Sequence, residues 1–266
     1  MVCGDSRNCE TKSQMAIAKP YKRIWRPLKE YNANDIMTSF NRKSLDYLRD
    51  ERYACQAEMR LLVSTARLML HDLYELFYFI EPNDINLQTY SHRVYELYLR
   101  AATEFESNCK RILEDNGYCK PGNWTITDYA KLSSVARLSE YRVMFLRWTT
   151  AREFKPFAGW SAPGTPLSWY QDYNGVKHNR YEQFTKANLG NLMNAIAGVL
   201  CVLHAQWGEK MTIGFIQGLH CAPDSQEVLD LNDVTIYAPH FTEAEQYDFV
   251  WDDIQANTDA VQTYQF

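Results

Sequence analysis

Two long stretches of apolar residues at helical spacing constrain the fold more than anything else in this chain. Between Tyr53 and Ile80, Met59, Leu62, Val63, Ala66, Met69, Leu70, Leu73, Leu76, Phe77 and Ile80 recur at intervals of three and four. That period lines one face of an α-helix with groups that must be buried. Pro82 and Asn83 stop the pattern. It resumes from Ser91 to Asn116, with Val94, Leu97, Tyr98, Ala101, Ala102, Phe105, Cys109, Ile112 and Leu113 in step. Asn116-Gly117 then supplies a left-handed exit. A connection of about ten residues makes the pair an antiparallel helical hairpin.

Further along, the spacing predicts a helix over Thr165–Asn179, with Thr165 as N-cap and Pro166 in the first turn. A long helix follows over Tyr181–Trp207, its core positions including Phe184, Ala187, Leu192, Ile196 and Leu203. The middle reads as a short helix over Asn123–Leu132 and a strand within Leu138–Thr149; Met211–Ile216 and Val234–Tyr237 read as short strands. The expected fold is mainly α, a helical bundle with a small β-strand appendage from the middle and C-terminal segments. Residues 1–33 form a basic, aromatic arm, 34–208 the bundle, and 209–266 an acidic region with short strands.

With 46% of 266 residues hydrophobic, the chain can bury a sizeable core. Its longest membrane-like run, Leu192–Leu203, falls short of the roughly 20 apolar residues a bilayer demands, and no apolar signal opens the N-terminus. A soluble protein without a membrane partner is expected. The seven cysteines are scattered and include no C-x-x-C pair, which argues against a disulfide framework or structural zinc and for a reducing cytoplasm. No phosphate-binding glycine loop, metal-spaced His/Asp cluster or nucleophile elbow occurs, so neither a cofactor nor a metal is expected.

Charge divides along the chain. Ten acidic side chains and no Lys or Arg follow Lys210, so that stretch carries −10 while residues 1–210 carry +5. The acidic stretch can cover a basic face of the bundle and keep polyanions out. The arm Lys19–Lys29 interleaves Tyr21 and Trp25 with Lys22, Arg23 and Arg26. It reads either as a nucleic-acid strip or as a solvated arm that packs one Trp on the bundle. Arg100 and Glu104, four apart, read as a surface ion pair, and His71 as a core or boundary residue of its helix. His92, His204, His220 and His240 stand isolated.

One segment concentrates polar and reactive groups: Trp169-Tyr-Gln-Asp-Tyr-Asn-Gly-Val-Lys-His-Asn-Arg180. On a helix Tyr170, Asn174 and His178 share a face with Lys177 beside them, and Trp169, Tyr173 and Arg180 lie toward the adjoining side. His178 has the proton affinity for transfer near neutrality, and Lys177, Arg180 and the Asn174 amide can stabilise developing negative charge. Tyr170 and Tyr173 can stack on bases. Asn188, Asn191 and Asn194 add a polar stripe that either lines the same cleft or faces solvent or a partner. The alternative is structural, a polar network that fixes how two helices pack.

Helical bundle and motif together resemble the HEPN superfamily over roughly Tyr53–Trp207. That family's signature is an Arg, a polar residue such as Asn, and a His four to six residues beyond the Arg. Asn174 and His178 match, whereas Tyr173 stands in the Arg position, a departure from the pattern. The resemblance implies metal-independent RNA cleavage of a defence or toxin–antitoxin type. Catalysis would fall to His178, Lys177 and Asn174, and substrate binding to Tyr170, Tyr173, Arg180 and Asn188. It also implies a homodimer in which two motifs meet, with RNA, a nucleotide or an antitoxin-like protein as partner. The Tyr173 departure points to the alternative of a catalytically silent binding module.

Overall fold

A computed structural model of the chain describes residues 17–29, 45–162, 164–208 and 233–266; the expected strand Met211–Ile216 and His220 lie outside them. Helices α1 (Gln56–Leu76) and α2 (His92–Asp115) fall within the two predicted segments. The Ser91 hydroxyl starts α2 by accepting from the Val94 N–H at 3.2 Å. Gly117, at φ 82°, carries the chain away after Asn116. Two short helices follow: α3 (Ile126–Tyr129) lies within the expected Asn123–Leu132 helix, and α4 (Leu132–Ala136), which was not expected, starts at its end. Next come β1 (Arg142–Phe145), β2 (Glu153–Phe154), α5 (Ser168–His178), α6 (Arg180–Gln183) and α7 (Leu189–Trp207). Strand β3 (Val234–Tyr237) and the short α8 (Trp251–Ile254) complete the order.

Helix α7 is the centre of the bundle. It packs along α2, with α1, α5 and β1 also against it, and is buried on nearly every side. A helix apolar all round is the expected core element of such a packing. At 19 residues it is longer than the run Leu192–Leu203 and meets the length and composition of a membrane span, yet 83% of that window is buried within this protein. Strand β1 lies between β2 and β3 in an antiparallel sheet of order β2-β1-β3, with Val143 opposite both Phe154 and Ile236. The C-terminal strand therefore pairs with the middle segment.

Two helix boundaries differ from expectation for identifiable reasons. Helix α5 starts at Ser168, and Leu167 rather than Thr165 is its N-cap. The preceding chain runs close to Gly159, where a Cβ would meet the Pro166 carbonyl oxygen at 2.8 Å. The predicted helix over 181–207 is interrupted by α6, a 3-10 turn at Phe184–Lys186, and extended backbone at Asn188. There the chain crosses the segment before α2: the Leu189 N–H donates to the Thr89 carbonyl at 2.9 Å, and the Asn188 amide to Gln88 Oε1 at 3.1 Å.

The described part of the arm is not solvated: Arg23 and Arg26 are buried, and Trp25 packs on the bundle as one reading of the sequence expected. Arg23 is 1% exposed and pairs with Glu58 of α1 and Asp115 of α2. It also donates to Gln206 Oε1 at 3.2 Å and lies 5.8 Å from the Trp207 ring centroid, so one guanidinium joins three helices. Its φ of 54° is in the left-handed region, strain that these contacts offset. Arg26 donates to the carbonyls of Glu245 and Val135. Trp25 packs over Gly208, whose φ is 55° and where any Cβ would sit 2.3 Å from the indole. The arm is also stitched to the acidic tail: Lys29 N–H to Tyr247 O, Tyr247 N–H to Pro27 O and Gln262 N–H to Pro20 O. Carboxylates of the tail pair with cations of the first 210 residues, as Asp259–Lys19, Asp248–Lys29, Glu245–Arg137 and Asp233–Arg147. Arg100 pairs with Asp72 of α1, not with Glu104.

His204 is likewise built in. Its Nδ1 is hydrogen-bonded to the buried Tyr141 hydroxyl at 3.0 Å, and its ring meets Trp25 edge-on at 5.2 Å. Burial alone pushes its pKa down to about 4.

Replacing Arg23 with Ala removes the cation between Glu58 and Asp115, and urea unfolding is expected to show a loss of about 3 kcal/mol. For His204 the unfolded chain takes up the proton first. Stability is therefore full above the unfolded pKa near 6.5 and falls as pH drops toward 4, by about 3 kcal/mol in all. Urea midpoints measured from pH 7 to 4 are expected to decline less in His204→Gln than in the wild type.

Candidate functional site

Helix α5 has an inner half and an outer half. Trp169, Tyr170, Tyr173 and Val176 are buried, whereas Lys177 and His178, in its last turn, are exposed. The Trp169 indole N–H donates to the Pro156 carbonyl at 2.8 Å, and the Tyr98 hydroxyl of α2 donates to the Trp169 carbonyl. These bonds fix both the rotation and the depth of α5 against α2.

The inner half converges on one carboxylate that projects from α2. The Tyr170 hydroxyl donates to Glu106 Oε1 at 2.5 Å, and the Tyr173 hydroxyl to Glu106 Oε2 at 3.4 Å. Lys177 Nζ donates to the Tyr173 oxygen at 3.1 Å and lies 5.1 Å from that ring's centroid. The hydrogen bond to Tyr173, with the Glu106 charge behind it, holds the Lys177 ammonium above the usual lysine value. Burial first, then the bond to Glu106, raises the Tyr170 phenol well out of the titrating range. The result is a neutral ammonium–phenol–carboxylate chain that locks α5 to α2.

Tyr170 and Tyr173 cannot serve as stacking platforms, being 4% and 1% exposed with their rings among Tyr98, Phe105 and Trp169. Glu106 also places a carboxyl group beside the Tyr173 position, where the family motif has an Arg. A phosphate there would meet a carboxylate instead of a guanidinium.

The outer half is different. Asn174, half-buried, and His178, exposed, make no side-chain hydrogen bond among the described residues. They lie one turn apart on the same face. Beyond Asn179, which caps α6 by accepting from the Glu182 N–H, the chain turns and presents Arg180. Arg180 lies 4.3 Å from the Tyr95 ring centroid and 5.4 Å from that of Phe184, and donates from Nη2 to His92 Nδ1 at 2.8 Å. A donor on that nitrogen leaves the other ring nitrogen of His92 to carry the proton. His92 is therefore not isolated: it anchors Arg180 at the start of α2. Lys177, His178 and Arg180 form an exposed basic corner where α5 meets α6.

The asparagine stripe has a local explanation. Asn188 is the N-cap of α7, accepting from the Asn191 N–H at 3.0 Å. Asn191 donates to Asp172 Oδ2 and to the Lys186 carbonyl, and Asn194 to the Gly190 carbonyl. Asn188 thus closes a helix end and is 8% exposed; it does not join His178 in a cleft. No group of three or more His, Cys, Asp or Glu that could hold a metal ion occurs among the described residues. Sequence reasoning missed Glu106 and His92 as partners of the motif, because each is contributed by α2 across a long separation in the chain.

The fold and corner define a mainly α-helical protein with a small three-stranded antiparallel sheet and an exposed basic turn between two helices. Comparison with protein-family models, with curated proteins and with solved structures returned no match.

Proposed function

We propose that the chain is a HEPN-like helical module that binds single-stranded RNA at the α5–α6 corner without cleaving it. One observation carries the reading: the Arg position of the motif holds Tyr173, buried against Glu106, while Asn174 and His178 keep open hydrogen-bonding groups beside the Lys177 and Arg180 charges. Such a corner can contact phosphates and sugar hydroxyls through cations, an amide and an imidazole. It lacks the guanidinium that would neutralise a phosphate at the Tyr173 position.

A second reading is favoured by the exposed imidazole of His178. In metal-independent cleavage the ribose 2′-hydroxyl attacks the adjacent phosphorus and the 5′-oxygen departs, leaving a 2′,3′-cyclic phosphate and a 5′-hydroxyl. His178 would take the 2′ proton and Asn174 and Lys177 would donate to the phosphoryl oxygens. A homodimer bringing two corners together, and a role in bacterial defence or toxin–antitoxin pairing, belong to both readings through the family resemblance.

Filter binding of a labelled single-stranded RNA in EDTA tests the proposal. Affinity is expected to fall with salt, with a log–log slope of about −0.7 for each phosphate engaged. It is expected to drop severalfold in Lys177→Ala and in His178→Ala, and the RNA to remain intact. Cleavage by the wild type but not by His178→Ala would establish the second reading. Absence of binding would dismiss both.

A further inference from the structure

The turn at Asn179 sends two consecutive side chains in different directions. Its backbone, at φ −139° and ψ 67°, ends α5 and opens α6. Neighbours on a helix lie about 100° apart around its axis. Arg180 therefore falls onto α2, while Tyr181 points into solvent.

Arg180 rests on a floor of rings. Besides Tyr95 at 4.3 Å and Phe184 at 5.4 Å, that floor includes His92 and Tyr90, whose ring centroids lie 5.0 and 5.7 Å from that of Phe184. Nη2 is taken by His92, and Nε and Nη1 make no hydrogen bond among the described residues. No carboxylate of the described residues pairs with this guanidinium. Glu182, the nearest acid along the chain, accepts from the Asn179 amide at 2.7 Å, Asp172 is paired with Lys186, and Glu96 with Arg93. Arg180 is thus a fixed cation with one edge open.

Tyr181 is 98% exposed. Surface tyrosines ordinarily lay the ring along their neighbours and keep only the hydroxyl in water. Tyr181 makes no ring contact and no hydrogen bond among the described residues, so both faces of its ring are bare. Tyr170 and Tyr173, the rings expected to stack on bases, are buried; the bare one stands next to Arg180.

We infer that Tyr181 is the base-stacking residue of the α5–α6 corner and Arg180 its phosphate anchor, so that the unit recognised is an unpaired nucleotide. The inference rests on the RNA reading above and deepens it. A guanidinium whose face is stacked and whose one edge is taken offers the other edge to two phosphate oxygens. A bare ring receives a base of any identity, provided that base is not already stacked in a duplex. Annealing keeps the phosphates but hides the base faces, so the corner discriminates strand state and not sequence.

Filter binding of one labelled RNA, alone and annealed to its complement, tests this in the wild type, Tyr181→Ala, Tyr181→Trp and Arg180→Gln. The wild type is expected to favour the single strand, and Tyr181→Ala to lose about tenfold on it with duplex binding and salt slope unchanged. Tyr181→Trp is expected to keep the wild-type affinity. Arg180→Gln is expected to weaken single-strand binding and to reduce its log–log salt slope by about 0.7. The thermal midpoint of Tyr181→Ala is expected to match the wild type, which separates lost stacking from lost fold. Undiminished single-strand affinity in Tyr181→Ala, beside a wild type that binds, overturns the inference and leaves the RNA reading standing. A wild type that holds duplex as tightly as single strand, or an equal loss on both in Tyr181→Ala, overturns it too. No binding by the wild type ends the RNA reading, and this inference with it.

Discussion

The side chain of Arg23 ties the N-terminal arm to three helices of the bundle. A guanidinium with no solvent exposure must be paired, and its partners come from three helices: Glu58 of α1, Asp115 of α2 and Gln206 of α7. Arg111 bridges the same two carboxylates from the solvent side, so the charges form a closed group. Once Arg23 is seated, Trp25 falls over Gly208 and the arm reaches Tyr247 and Gln262 of the tail. Part of the uneven charge of the sequence is balanced within the fold, where Lys19 and Lys29 of the arm and Arg137 and Arg147 of the middle segment meet carboxylates of the tail.

The same economy shapes α5. Its inner residues spend their polar groups on packing, with Glu106 collecting two phenols and, through one of them, Lys177. Its outer residues leave theirs open. The Tyr98–Trp169 and Trp169–Pro156 bonds give α5 a rigid seat, which the proposed recognition surface on its outer half would need. Arg180, stacked on Tyr95 and Phe184, is held the same way at the start of α6. Pre-ordered cations lose less entropy on meeting a phosphate than free surface lysines do.

Periodicity was enough to locate α1, α2 and the body of α7, because burial on one face leaves a direct trace in the residue order. Strand β3 was legible from Val234–Tyr237, and the structure pairs it with β1. The break at Asn188 was not legible, since it arises from a crossing with residues near Thr89, far away in the chain. The candidate site divides similarly. His178, Lys177 and Arg180 were recognisable as exposed chemistry, but nothing local marks Tyr170 and Tyr173 as buried or pairs them with Glu106. Arg23 looked like one cation among several; only the three-helix junction shows why it differs from Lys22 beside it.

The central functional claim is that RNA meets the outer half of α5 and leaves the inner half and the arm untouched. An amide and imidazole NMR titration of the labelled full chain with a single-stranded RNA oligonucleotide addresses it most directly. The account predicts shifts confined to Asn174, Lys177, His178, Arg180 and their immediate neighbours, with the amides of Lys22, Arg23 and Trp25 unmoved. Shifts centred on the 19–29 arm, with the α5–α6 corner silent, would contradict it.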